Sequence, residues 1–217
     1  LDPGVAVALS SVSNELRAST KGLLPQLRAD HEAATALCLK LGHRSCKELR
    51  EAKRVRSYRK GLTAADLGLL GTLGSVLPAL ETLVLVEPAA SSVCMRRLAE
   101  GLGADALPAV TFLDISGIHV GDAGASALAV ALGQGALPRL KCLSLYNAAI
   151  GDTGLVALAP ALRRLPALKG LYFTSNPFSD KGLAALVAPP PAGALPPPTG
   201  VLAKLKVLWL GGTQVTD

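Results

Sequence analysis

From Leu107 the chain says nearly the same thing three times: LPAVTFLDISGIHVGDAGASALAVALGQGA from Leu107, LPRLKCLSLYNAAIGDTGLVALAPALRR from Leu137 and LPALKGLYFTSNPFSDKGLAALVA from Leu165. Working outward, the same frame runs back to Leu77, with LPALETLVLVEPAASSVCMRRLAEGLGADA, and forward to Leu202, with LAKLKVLWLGGTQVTD. Copies therefore start at 77, 107, 137, 165 and 202, at spacings of 30, 30, 28 and 37 residues. A period near 30 opening with L-x-x-L-x-x-L-x-L predicts a solenoid with one strand and one helix per copy. A lone copy cannot bury its leucines, whereas stacked copies share one core.

One copy shows why. In the copy from Leu137, Leu140, Leu143 and Leu145 lead from a turn into a short alternating strand, while Leu155, Leu158 and Leu162 recur at helical spacing. Asp152 is expected to cap the first amides of its own helix and Gly151 to make the turn, with Asp122 and Asp180 in the same role. The Leu-Pro pairs at 107, 137 and 165 are expected to end each helix and place proline at the first residue of a strand.

The string from Leu140 to Leu162, LKCLSLYNAAIGDTGLVALAPAL, resembles the ribonuclease-inhibitor-like subfamily of leucine-rich repeats. The resemblance covers roughly residues 50 to 217. It implies an α/β horseshoe with a parallel concave sheet and convex helices, and the segment before it is expected to form an N-terminal helical cap over the first core layer. As to function it is broad, since such horseshoes inhibit enzymes, activate GTPases, sense ligands and hold complexes together. The asparagine that usually follows the strand stands only at Asn176; Pro88, Ile118, Ala148 and Thr213 hold the matching places.

The domain reading is a helical cap region over 1–51 and a solenoid over 52–217, with a degenerate first repeat at 52–76 and a Pro-rich insertion at 188–200. In the cap, one helix is expected after the LDPG turn and a second from near Asp30, after an interruption at Pro25. The insertion, with six prolines between Pro189 and Pro198, is expected as an extended loop on the rim.

Hydrophobic residues make up 50% of the 217, yet no run of 18 apolar residues occurs, so no membrane span is expected. Met95 is the only methionine, so the sequence is expected to be a processed or partial piece of a longer protein, intracellular and either cytoplasmic or organellar. The four cysteines, Cys38, Cys46, Cys94 and Cys142, form no C-x-x-C pair and are expected as reduced thiols. Cys38, His43 and Cys46 match no common zinc spacing, and neither a metal nor a cofactor is expected.

Residues 44–60, RSCKELREAKRVRSYRK, hold eight Lys or Arg against Glu48 and Glu51, which leaves +6, the whole formal net charge. Elsewhere 14 basic residues balance 14 acidic ones. The segment reads either as a solvated face or as a basic patch of Arg50, Lys53, Arg54, Arg56, Arg59 and Lys60 for an anionic contact. Nucleic acid is disfavoured, because only Tyr58 interleaves an aromatic with these charges.

No catalytic constellation is found. The three histidines, His31, His43 and His119, lie in no H-E-x-x-H, and neither a nucleophile elbow nor a phosphate loop occurs. Asp114 and His119 read as a solvent-exposed pair. No enzyme activity is expected.

The strand face is more informative. Residues between the strand leucines point out onto the concave sheet, because strand side chains alternate. Of seven aromatics in the chain, Phe112, Tyr146, Tyr172 and Trp209 fall in these outward columns, and Tyr58 joins them if the first repeat is aligned. With Asp114 they are the expected partner-binding residues, aromatics being enriched where interfaces carry their energy. The expectation is a non-catalytic protein-interaction module, a scaffold or accessory subunit of a multi-subunit complex. The alternatives are a regulator of an enzyme, such as a small-GTPase activator, or a binder of nucleic acid or an anionic surface through 44–60.

Overall fold

The computed structural model describes residues 23–188 and 202–216. The first expected cap helix and the Pro-rich insertion lie outside these residues. Two helices lead in, α1 (Leu23–Lys40) and α2 (Cys46–Glu51), followed by β1 (Arg54–Tyr58), α3 (Ala64–Leu73) and a short 3₁₀ turn (Gly74–Val76). Strand and helix then alternate: β2 (Thr82–Val86), α4 (Ser92–Gly101), β3 (Phe112–Asp114), α5 (Gly121–Gly133), β4 (Cys142–Ser144), α6 (Asp152–Arg164), β5 (Gly170–Tyr172), α7 (Asp180–Val187) and β6 (Val207–Trp209).

The six strands form one parallel sheet in sequence order. Its register puts Leu83, Leu113, Leu143, Leu171 and Leu208 in one row and Val84, Asp114, Ser144, Tyr172 and Trp209 in the next. On β1, exposed Arg54, Arg56 and Tyr58 alternate with buried Val55 and Ser57, and Arg56 pairs with Val84. Parallel strands stack about 4.8 Å apart, whereas packed helices need about 8–10 Å. A chain that advances by one strand and one helix per coil must therefore curve, with its sheet on the inside. The free face of the sheet is the concave face.

One core runs the length of the solenoid between sheet and helices. The strand leucines Leu83, Leu113 and Leu143 meet the helix leucines Leu98, Leu128 and Leu158, and all six are at most 2% exposed. Each such side chain contributes about 1.5–3 kcal/mol by leaving water. Where Leu145 and Ile150 stand in one coil, Phe173 and Phe178 stand in the next, fully buried and edge to face at 5.8 Å. Leu208 is 38% exposed because among the described residues no later coil stacks on it.

Three local expectations are corrected. First, α1 spans Leu23–Lys40 rather than starting near Asp30, so it takes in Pro25, whose fixed φ suits the first turn of a helix. Second, Pro108 and Pro138 occupy turns rather than strand starts, each turn closed by Val110 N–H to Leu107 and Leu140 N–H to Leu137. Proline's fixed φ suits the second position of such a turn.

Third, Asp122, Asp152 and Asp180 do not cap their own helices. Gly151 is the N-cap of α6 and makes no side-chain cap bond. Each aspartate instead reaches into the following coil: Asp122 accepts from Gly151 N–H at 2.7 Å, and Asp152 from Ser179 N–H at 2.7 Å and Gly182 N–H at 3.0 Å. Asp180 accepts from the Thr216 hydroxyl at 2.6 Å. For Asp122 and Asp152, a glycine in the first turn of the following coil's helix makes room for this. A Cβ on Gly154 would lie 2.5 Å from Asp122 Oδ1, and one on Gly182 2.7 Å from Asp152 Oδ1.

A second ladder closes the turns after the strands. Buried Asn176 accepts from Ala148 N–H and Ile150 N–H and donates to the Leu145 and Phe173 carbonyls. In β2's coil the same job falls to Glu87, which is 2% exposed and accepts from the Ser57 hydroxyl, Lys60 N–H and Gly61 N–H. Glutamate one place earlier in the repeat, with one more methylene, reaches the preceding turn as asparagine does.

Candidate functional site: the concave sheet face

The outward columns run across the sheet in register. Nearest the strand starts lie Arg54, Thr82, Phe112, Cys142, Gly170 and Val207; next come Arg56, Val84, Asp114, Ser144, Tyr172 and Trp209. Tyr58 and Val86 pair beyond them, and Ser116 and Tyr146 follow their own strands at the matching place. Facing outward is not the same as being exposed: Val84 and Ser144 are buried, packed among their neighbours across the row.

The two ends of this face differ in chemistry. At the β5–β6 end the Tyr172 and Trp209 rings meet edge to face, with centroids 5.5 Å apart and planes at 67°. Such a pair is favourable by about 0.5–1.5 kcal/mol beyond its buried area. Trp209 is nevertheless 61% exposed and Tyr146 47% exposed. The Tyr172 ring lies back over Gly170, where an added Cβ would sit 3.1 Å from Tyr172 Cε2 and 3.3 Å from Cys142 Sγ. Gly170 is a site residue that pattern reading passes over: it is the one glycine in its column, and its missing side chain seats the tyrosine.

The β1–β3 end is charged. Arg54, Arg56, Tyr58, Thr82, Val84, Phe112 and Asp114 line a hollow of about 530 Å³. All six residues of the basic patch are exposed, with Arg50 on α2, Lys53 just before β1, and Arg59 and Lys60 just after it. Lys53 lies 3.6 Å from Glu81; among the described residues no carboxylate comes within ion-pair distance of the other five. Asp114, half-buried, accepts from Ser116 N–H at 3.0 Å and from the Ser116 hydroxyl, which in turn meets Ser144 Oγ at 2.9 Å. His119, exposed on the following loop, makes no ion pair with the half-buried Asp114. The structure thus brings Phe112 and Asp114 together with the arginines at one end of the sheet face, and Tyr172 together with Trp209 at the other.

Away from the sheet, Lys40 Nζ meets Asp66 Oδ2 at 2.6 Å and ties α1 to α3. Burial pushes the Asp66 carboxyl up, but hydrogen bonds from Lys40 and from Thr63 together outweigh it and hold the group below the usual carboxylate range. The Ser179 amide and hydroxyl do the same for Asp152, and the Thr216 hydroxyl and amide for Asp180. Cys38 Sγ lies 3.5 Å from Cys46 Sγ, both free thiols. Burial, then the hydrogen bond and charge of Cys46, push the Cys38 thiol up to about 12. It is therefore a protonated core side chain at neutral pH, not a nucleophile. Among the described residues no group of three or more His, Cys, Asp or Glu could hold a metal ion. No helix among them is long and apolar enough to cross a membrane.

Comparison with known proteins gives a family match over two of the coils. A leucine rich repeat model matches residues 108–129 and 137–159, the strand and most of the helix of the β3–α5 and β4–α6 units. No curated protein matches the chain significantly. Leucine-rich repeats are in general surfaces for protein–protein interaction and typically non-catalytic. The matched repeats, the six-stranded parallel sheet and the alternating helices together give this chain the fold of an α/β leucine-rich-repeat solenoid.

Proposed function

We propose that the protein is a non-catalytic interaction module of the ribonuclease-inhibitor-like kind, a scaffold or accessory subunit that holds a protein partner on its concave face. The observation that carries this reading is the edge-to-face pair of Tyr172 and Trp209 on the concave face, with Trp209 61% exposed. Trp209 stands on β6, the edge strand of the described sheet, and Trp and Tyr dominate the residues whose truncation weakens interfaces by about 2 kcal/mol or more. Tyr146 continues the patch on β4's side, while Phe112 and Asp114 begin a second subsite.

The test is affinity purification from the native source, wild type beside a Tyr172→Ala/Trp209→Ala double variant, with mass spectrometry of what is retained. A stoichiometric protein partner that is lost with the folded variant supports the reading. A partner retained equally by both places its binding elsewhere.

A further inference from the structure

The charged end of the concave face has a periodicity of its own. Arg54 and Arg56 are two residues apart on β1, both exposed, on the same side of the strand, with Tyr58 next in line. Same-face side chains on a strand repeat every ~6.8 Å. An extended polypeptide repeats at the same interval, so side chains at its alternate positions match the two guanidinium groups one for one. Each guanidinium is a planar fork that suits a carboxylate held by two parallel hydrogen bonds.

Charge and relief agree with this match. The segment around β1 carries the protein's whole net charge of +6, and neither arginine has a carboxylate within ion-pair distance among the described residues. The hollow in front of them is also lined by Val84 of β2 and Phe112 of β3, so an occupant can bury apolar atoms between its charges. Asp114 lines it from β3, two strands away from the arginines, and by repelling a carboxylate it confines an acidic run to the β1 side.

We propose that the β1–β3 end of the concave face is a docking site for an extended acidic segment of a protein partner. The segment lies lengthwise along β1 and sets carboxylates two residues apart against Arg54 and Arg56. The proposal rests on the concave-face reading but uses different residues from the aromatic pair, so each can fail without the other.

The test is a fluorescence-anisotropy titration of the full chain with two dye-labelled peptides of one composition. One has four glutamates alternating with threonines; its isomer has the four glutamates contiguous. The expected result is that the alternating peptide binds at least about fivefold tighter than its isomer, and that Arg54→Gln/Arg56→Gln weakens it at least about tenfold. Arg96→Gln/Arg97→Gln on α4, which removes the same charge from the convex side, and Tyr172→Ala/Trp209→Ala both leave that preference in place. Arg54→Glu/Arg56→Glu should transfer it to a peptide of alternating lysines. Equal binding of the two isomers, retention by the Arg54→Gln/Arg56→Gln variant with native circular dichroism, or tighter binding of a single-stranded oligonucleotide of equal charge would each overturn the proposal.

Discussion

Asp122 lies against Gly151 and Gly154 of the next coil, and the contact is tight enough that one methyl group decides it. A Cβ on Gly154 would sit 2.5 Å from the Asp122 carboxylate and 3.0 Å from the Asp122 Cα, so backbone must move to admit it. Gly154→Ala should therefore destabilise the fold by about 1–3 kcal/mol, read as a lower urea midpoint, although alanine favours helices over glycine. A midpoint raised by the helix propensity of alanine would show that the coils separate easily. Asn176 is the second such residue. Its amide serves two amides and two carbonyls while buried, so Asn176→Ala should cost on the order of 3 kcal/mol by leaving several of them without a partner. The repeated G-D-x-G places these residues in the sequence, but not what they touch. A capping aspartate and one that reaches into the next coil have the same spacing along the chain; only stacking separates them. Glu87 was hidden for a related reason, being a different residue type one place out of frame with Asn176.

Among the elements, the helices on the convex side are joined by carboxylates, and their protonation sets how the fold responds to acid. Asp66, Asp152 and Asp180 are all held below the usual aspartate value in the folded chain. A folded value below the unfolded one gives stability that is fully present above the unfolded value, about 3.9, and is lost as pH falls through the lowered folded values. Chemical denaturation followed from pH 7 down to pH 2 should show a falling midpoint below about pH 4. Asp66→Asn should start lower at neutral pH and fall less steeply; an acid limb identical to the wild type would mean that the Lys40 contact contributes nothing to it. Strands and helices of the repeats were legible because their leucines carry both periods at once. The cap was less so: with no repeat to compare, Pro25 reads as an interruption, and only the structure shows it in a helical first turn.

The whole molecule is a sheet with a basic end and an aromatic end on one concave side. That face was legible in advance because a solenoid converts sequence period into columns: once the leucines fix the register, every residue between them is assigned a side. Exposure within a column was not legible, since it depends on neighbours from other coils; Val84 is buried and Trp209 open although both face outward in one row. Trp209 is also the only tryptophan in the chain, which makes it the natural reporter for the central claim that a protein partner covers this face. The measurement is a fluorine NMR titration of the chain labelled with 5-fluorotryptophan against the unlabelled purified partner. The account predicts that the single resonance shifts or broadens to saturation and loses its sensitivity to deuterated solvent as the indole is covered. A resonance unchanged at full occupancy of the complex would contradict it.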